Sequence, residues 1–418
     1  MLTERIAYLC GEYPRATDTS IQREVAALRS ADMHVRTISI RRPAARERLQ
    51  SNGATPQSHD TYYVLPAGFW RLATAHWRTL MRSPRRYLRA LRLALSVRSP
   101  GLRALTYQLF YFAEAAIVAE LMRREGLVHL HNHAPDASGY VAMIAAEMGG
   151  FSYSMTIHGH GILAEPGRWR LADKLRRALF VVCVSWHARS QCMLWSSQDT
   201  WDRFHVIHCG VTSERRELRQ HTGSGTRLLY VGRLDHVKGL PLLIDALASL
   251  ADSHPDIRVD IVGDGPERPS LEQRVAASGL NAHVHFHGYL GQHEVEALLA
   301  QSDALVMTSF AEGIPVALME AMAVGVPVVA PRITGIPELI EHQRGGLLFT
   351  PGNVDDLVGA LLRLLDDPDL RSEFAEHGYR TIREQFNLGT ETGRLVALMR
   401  GRLAGKPMPV RPEPQSDC

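Results

Sequence analysis

Short apolar runs alternate with helical patterns along most of this chain, and that alternation limits the fold more than any other feature. In the second half, strand-like runs at 228–232, 259–263, 284–287, 304–308 and 326–330 alternate with helical patterns at 240–250, 269–278, 295–300, after Pro315, and at 357–365. In the first half, strands are expected at 6–10, 35–40, 127–131, 151–157, 180–185 and 203–208, with a helix at 138–148 and helical sequence from 69 to 122. Ile21, Val25 and Leu28 mark one face of a further helix, and Thr19 and Gln22 have the spacing of a capping box at its start. Residues 43–60 read as a polar, irregular stretch. Strand following helix following strand predicts the α/β class, with parallel, doubly wound sheets.

At 418 residues the chain is long enough for at least two domains. Its net charge of +3 does not suggest nucleic acid as a partner, and 45% hydrophobic residues supply ordinary cores. Lysine occurs only as Lys174, Lys238 and Lys406, which makes Lys238 conspicuous. Cys10, Cys183, Cys192, Cys209 and Cys418 form no C-x-x-C pair, as expected of reduced thiols in the cytosol. No signal peptide and no membrane-spanning run is expected.

The segment S-F-A-E-G-I-P-V-A-L-M-E-A-M-A, 309–323, sets two carboxylates, Glu312 and Glu320, eight positions apart. A carboxylate accepts from sugar hydroxyls, and a helix N-terminus offers free amides and a positive dipole end to a diphosphate. Pro315 is expected to start the helix. Glu320 then lies about 7–8 Å along the axis, leaning back toward the phosphates and a ribose beside them. Glu312, before the helix, is placed for the sugar.

This segment resembles the E-x7-E motif of the retaining GT-B glycosyltransferases often called family 4, and the likeness runs from Ser309 to Val329. The resemblance implies two Rossmann-like domains facing a cleft, with the site between them. It assigns the donor sugar to Glu312 with the backbone of Gly313, Ile314 and Pro315, and the ribose to Glu320. Gly232-Arg233-Leu234 and Lys238-Gly239 resemble the family's G-R-L-x-x-x-K-G motif, whose cations hold the diphosphate. Such cations stabilise charge on the leaving phosphate more in the transition state than in the ground state. Gly288 and Tyr289 occupy the place where the family contacts the nucleobase, and His158 that of a histidine at the donor sugar, with His160 as its competitor. Val262-Gly263-Asp264-Gly265-Pro266 lacks the third glycine of a dinucleotide loop, since Arg268 stands there, and reads as a structural turn. Thr334 to Glu338 matches another family pattern and reads as structural too.

Glu12 to Thr19 resembles a Y-P-x-x-S/D-T segment of exopolysaccharide and colanic-acid-type members of the family. Arg15, Asp18 and Thr19 are therefore candidates for acceptor or phosphate contacts, with a helix cap as the other reading of Thr19. His129, His131 and His133 alternate and would share one face of a strand, but no acid or cysteine cluster accompanies them, so no metal site is expected. Between Asp60 and Glu114 there is no acid, and nine arginines fall from Arg71 to Arg103 among aromatics and leucines. Two readings stand: a basic helical face at an anionic membrane, or a solvated basic face with its leucines turned inward.

Together these readings predict a retaining, metal-independent hexosyltransferase. It would move sugar from a nucleoside-diphosphate sugar, UDP being the commonest carrier in the family, to a glycan or polyprenyl-linked glycan hydroxyl in polysaccharide biosynthesis. The donor is a co-substrate and no cofactor is expected. Arg233, Lys238, Glu312 and His158 are the catalytic candidates. Expected domains are 1–210 for the acceptor, 211–385 for the donor, a helix at 386–405 returning to the first domain, and a disordered tail at 406–418. The expected location is cytoplasmic, peripheral to the inner face of the plasma membrane if the arginine-rich segment binds lipid. A non-catalytic nucleotide-sugar subunit, a GT-B epimerase or phosphorylase, and an NAD-dependent oxidoreductase are the rivals.

Overall fold

The computed structural model describes residues 4–15, 18–43, 60–212 and 225–413. Two compact units emerge: Met1–His208 with Gly389–Cys418, and Cys209–Leu388.

The sheet of the first unit holds β1 (Arg5–Glu12), β2 (His34–Arg41), β3 (Tyr62–Tyr63), β4 (His129–His133), β5 (Ser152–Ile157), β6 (Val181–Cys183) and β7 (Phe204–Val206). All pairs are parallel, in the order β3-β2-β1-β4-β5-β6-β7. Successive side chains of β1 serve opposite faces. Ala7 and Leu9 enter the core beneath the helices Leu102–Arg124 and Ala137–Gly149. Ile6 and Tyr8 meet Val25 and Leu28 of the helix Thr19–Ser30 and Leu395 to Met399 of the helix Leu388–Leu403. A sheet covered on both faces explains why its strands read as unbroken apolar runs.

The second unit contains β8 (Arg227–Val231), β9 (Arg258–Val262), β10 (Val284–Gly288), β11 (Ala304–Val306), β12 (Val328–Pro331) and β13 (Leu347–Phe349). These strands are again parallel, ordered β10-β9-β8-β11-β12-β13. Leu228 and Tyr230 face one core and Leu229 the other. In each sheet the chain reverses its direction of growth beside the first strand, between β1 and β4 and between β8 and β11. In such sheets ligands bind in the crevice outside the carboxyl ends of the strands at this point.

The structure corrects several local expectations. The helical reading from 69 to 122 holds, and the structure divides it into three helices, Phe69–Arg82, Pro84–Ser96 and Leu102–Arg124, broken at Ser83–Pro84 and around Gly101. A proline removes one intrahelical bond, and Gly101 adopts φ +105°. Thr19 is the first helical residue, not the cap. Asp18 precedes it, and its carboxylate accepts from Arg15 instead of the helix amides. The helix after the glycine loop is Val316–Ala323, so Pro315 caps it from outside.

Of the tail expected to be disordered, 414–418 lie outside the described residues, as do 44–59 of the polar stretch. Residues 406–413 are packed on the first unit. Val206 N donates to the Val410 carbonyl at 2.7 Å, and His205 Nδ1 lies 2.7 Å from that of Pro409. The reason is that β7 is an edge strand with backbone groups to satisfy, and proline carbonyls accept as well as any.

Glu391 locks this arrangement. It is 2% exposed and accepts from Arg394, from Arg411 at 2.7 Å and from the His208 amide at 2.8 Å. Replacing Glu391 with alanine leaves two guanidinium groups without their anion. The expected loss is about 3 kcal/mol of stability, read as a fall in the urea midpoint, with Glu391→Gln costing less.

Candidate functional site

The crevice of the second unit is built from the loops that leave β8 and β11. After β8 the chain runs Gly232-Arg233-Leu234 and then turns at Lys238-Gly239. The next loop over braces it: Gly232 N donates to the Val262 carbonyl at 3.0 Å, and Leu234 N to that of Asp264 at 3.0 Å. Gly263, at φ +129°, sits so close that a Cβ would come within 1.9 Å of the Gly232 oxygen. The G-x-G-P turn thus shapes the Arg233 loop. Arg233 is 60% exposed, and its Nε lies 3.4 Å from the Asp235 carboxylate.

Gly239, at φ +62°, lets the chain pass the end of β11, where a Cβ would meet the Thr308 oxygen at 2.3 Å. Thr308 Oγ1 donates to the Lys238 carbonyl at 3.0 Å, and Phe310 N to that of Val237 at 2.7 Å. The two loops are thereby sewn together across the reversal point. Lys238 Nζ reaches Glu312 Oε1 at 2.6 Å, with both side chains mostly buried. These residues are 74 positions apart in sequence.

Beyond Glu312 come Gly313, the buried Ile314 and Pro315, and then the helix Val316–Ala323, which carries no side-chain cap. Its first amides therefore have no intrahelical acceptor and stand ready for an anion. Glu320 is half-buried on the second turn of this helix. Gly288 ends β10, and its carbonyl accepts from Gly263 N at 2.8 Å, so Tyr289 starts from the same braced edge. Arg268 Nη1 comes up against Gly288, 3.3 Å from where a Cβ would stand. Thr334 adopts φ +45°, a strained value for a β-branched residue, and its buried Oγ1 lacks a partner among the described residues.

Residues 213–381 match the family model described as glycosyl transferases group 1. These residues fall within the second unit. Alpha-D-kanosaminyltransferase of Streptomyces kanamyceticus is 27% identical over 304 residues, 67% of this chain and 78% of that protein. The amylovoran biosynthesis glycosyltransferase AmsK of Erwinia amylovora is 36% identical over 171 residues, 39% of this chain and 42% of that protein. A crystal structure of Anabaena Alr3699/HepE in complex with UDP and glucose aligns with TM-score 0.69 at 18% identity, over 95% of this chain and 100% of that one. At that identity the likeness is one of fold, and the fold is GT-B.

In the first unit, the reversal point gathers histidines. β4 is histidine at every second residue, and all three are buried. The register sets His129 beside Ser152, His131 beside Ser154 and His133 beside Thr156. His129 contacts the Ser152 and Ser154 hydroxyls at 2.8 and 2.6 Å, and His131 those of Ser154 and Thr156 at 2.7 and 2.8 Å. His133 continues the series, its Nδ1 2.9 Å from His158 Nε2.

An acid does accompany these histidines, contrary to expectation. Glu24 Oε1 lies 3.2 Å from His133 Nε2 and accepts from the Tyr8 hydroxyl at 2.7 Å. Ligand atoms of Glu24, His131 and His133 fall within 4.8 Å of one another. Both nitrogens of His131 are already engaged by hydroxyls, so its lone pair is committed inside the protein. Burial alone would raise the Glu24 carboxyl, but His133 and Tyr8 outweigh it and hold it below the usual carboxylate range. The Glu24 carboxylate thus stands at one ring nitrogen of His133 and His158 at the other, and the two imidazoles share one proton across their contact. Burial, and then His133, push His158 down to about 3, so it stays neutral.

The structure therefore joins Lys238 to Glu312 and His158 to His133. It turns Arg15 and Asp18 upon each other, at 2.9 Å, which occupies the charge each would offer an acceptor or phosphate. Thr19 is half-buried in the first turn of its helix. His160 opens the helix His160–Ala164, but its side chain is outside the described residues. Glu24 and the strain at Thr334 escaped the sequence reading. A signal for Glu24 was present: it falls within the stripe of Ile21, Val25 and Leu28, where an acid is out of place.

Three outcomes follow from these placements. Gly239→Ala forces a Cβ against Thr308 and should cost about 2 kcal/mol in urea unfolding. Gly359→Ala, in a helix with nothing within 4 Å of the new carbon, should be neutral or stabilising. His129 is pushed by burial from 6.5 down to about 3. Its contribution is complete above the unfolded value and lost as pH falls from about 6.5 toward about 3, because only the unfolded chain takes the proton. Wild type should therefore lose up to about 1.4 kcal/mol per pH unit more than His129→Gln between pH ~6 and ~4.

Proposed function

We propose that this protein transfers a hexosyl group from a nucleoside-diphosphate sugar, with UDP as carrier, to a glycan hydroxyl, retaining the anomeric configuration. The Lys238–Glu312 ion pair at the reversal point carries this reading. In the resting protein each group neutralises the other. A donor can take over both: the diphosphate draws Lys238 and the uncapped amides, and the freed carboxylate accepts from sugar hydroxyls. Glu320, one turn further along the helix, takes the ribose, and the edge at Gly288 and Tyr289 takes the base.

Transfer breaks the bond from the anomeric carbon to the phosphate oxygen and forms one to the acceptor oxygen on the same face. The acceptor proton passes to the departing phosphate. Arg233 and Lys238 stabilise the charge that builds there, which is work a metal ion does in other sugar transferases, so the reaction is read as metal-independent. Neutral His158 is a donor-sugar contact in this reading, held by His133, behind which Glu24 stands. The relatives, a kanosaminyltransferase and an amylovoran biosynthesis glycosyltransferase, favour sugar transfer, and UDP is the nucleotide bound in the Anabaena HepE complex. A role in exopolysaccharide synthesis, on a polyprenyl-linked acceptor at the cytoplasmic face of the membrane, completes the proposal.

The test is a thermal-shift series with UDP, GDP and their sugars, followed by transfer assays. UDP should raise the melting temperature. Glu312→Ala should lower turnover at least ~100-fold with UDP binding largely kept, whereas Glu320→Ala should weaken UDP binding about ten-fold. Full activity in both variants would overturn the reading, and donor turnover without acceptor would point to an epimerase.

A further inference from the structure

We infer that the outer face of the three arginine-rich helices, Phe69–Arg82, Pro84–Ser96 and Leu102–Arg124, seats on an anionic lipid bilayer. The inward faces of these helices are already satisfied by Ala75, Ala90, Leu93 and Phe112 in the core. What remains outside is far more apolar than a solvated surface requires. Trp70 is 77% exposed, Trp77 63%, Leu102 83% and Phe110 59%. Leucines were to turn inward if this were a solvated basic face, but Leu88, Leu95, Leu102 and Leu109 are all exposed.

The contacts between helices bring the apolar groups to one level. His76 meets Phe112 at 5.4 Å between ring centres, and Arg78 meets Glu120 at 3.4 Å. The first and third helices therefore run side by side in the same direction. Phe69 and Trp70 stand level with the opening turns of the third helix, where Leu102 and Phe110 emerge. Within the first helix, Trp70, Thr74, Trp77 and Met81 fall on one stripe, flanked on one side by Arg78 and Arg82.

Charge decides what covers this face. Arg78 and Arg82 share Glu120, Arg89 pairs with Glu147, and Arg86 is spent on the Gly149 carbonyl. Among the described residues, exposed Arg85, Arg92 and Arg98 have no acidic partner. A second copy on a two-fold axis would set arginine against arginine, an unfavourable contact for desolvated like charges. An anionic bilayer accepts both chemistries, indoles at the headgroup level and guanidinium groups on lipid phosphate. No described helix is long and apolar enough to cross a membrane, so the contact is peripheral.

The inference stands apart from the transfer reaction and is tested on the full chain by flotation with vesicles. Vesicles of phosphatidylglycerol and phosphatidylcholine in equal parts should carry the protein at ~0.1 M salt, and pure phosphatidylcholine should not. Trp70→Ser with Trp77→Ser, and separately Arg85→Glu with Arg92→Glu, should each weaken partition about ten-fold or more. All four positions are exposed, so circular dichroism and the UDP thermal shift should be unchanged, which separates failure here from failure of the transferase reading. Equal binding to both vesicle types, no binding, undiminished binding in both variants, or a dimer that the tryptophan changes dissolve would each overturn it.

Discussion

Parallel pairing with the first strand placed inside each sheet is the constraint from which the other features follow. A strand with neighbours on both sides and helices on both faces can present chemistry only at its ends. Growth of the sheet in two directions from β1 and from β8 parts the following loops and leaves room beside the carboxyl edge. Lys238 and Glu312 come from the two loops flanking one such point. His133 ends a strand at the other, and His158 follows the strand beside it. Their proximity is a product of topology, and the backbone bonds between the loops hold it in place.

The interior carries more polar chemistry than a doubly wound sheet needs, and in the first unit two sets of these groups are matched side by side. The β4 histidines are accommodated because β5 offers a hydroxyl at each facing position. Lys174 is wholly buried, yet it donates to the carbonyls of Pro135 and Asp136 at 2.7 and 2.6 Å and lies over the Tyr140 ring. Burial pushes it down to about 7. Such groups add little net stability when paired, but they are costly to leave unpaired, so they favour one register over its neighbours. A one-residue slip between β4 and β5 would leave the imidazoles without partners.

The arginine-rich helices divide differently. Their small and aromatic residues facing the core do the packing, and their exposed indoles, leucines and guanidinium groups are surplus to it. This separation of roles on one set of helices is why the segment resisted a single reading from periodicity: both faces carry apolar residues, so pattern alone does not tell which face is buried.

By itself the amino-acid sequence determined the α/β class, the placement of most strands and the loops bearing Arg233, Lys238, Glu312 and Glu320, because these rest on local periodicity and on motifs a few residues long. Boundaries at Thr19, Pro315 and residues 406–413 did not follow, since caps and edge strands are settled by partners distant in sequence. Tertiary structure alone decided that Lys238 grips Glu312, that Glu24 stands behind His133 and His158, and that tryptophans of the arginine-rich helices face outward. Each of these is a contact or an exposure between segments that the chain brings together only when the sheets close, and a one-dimensional pattern carries no record of which loops will become neighbours.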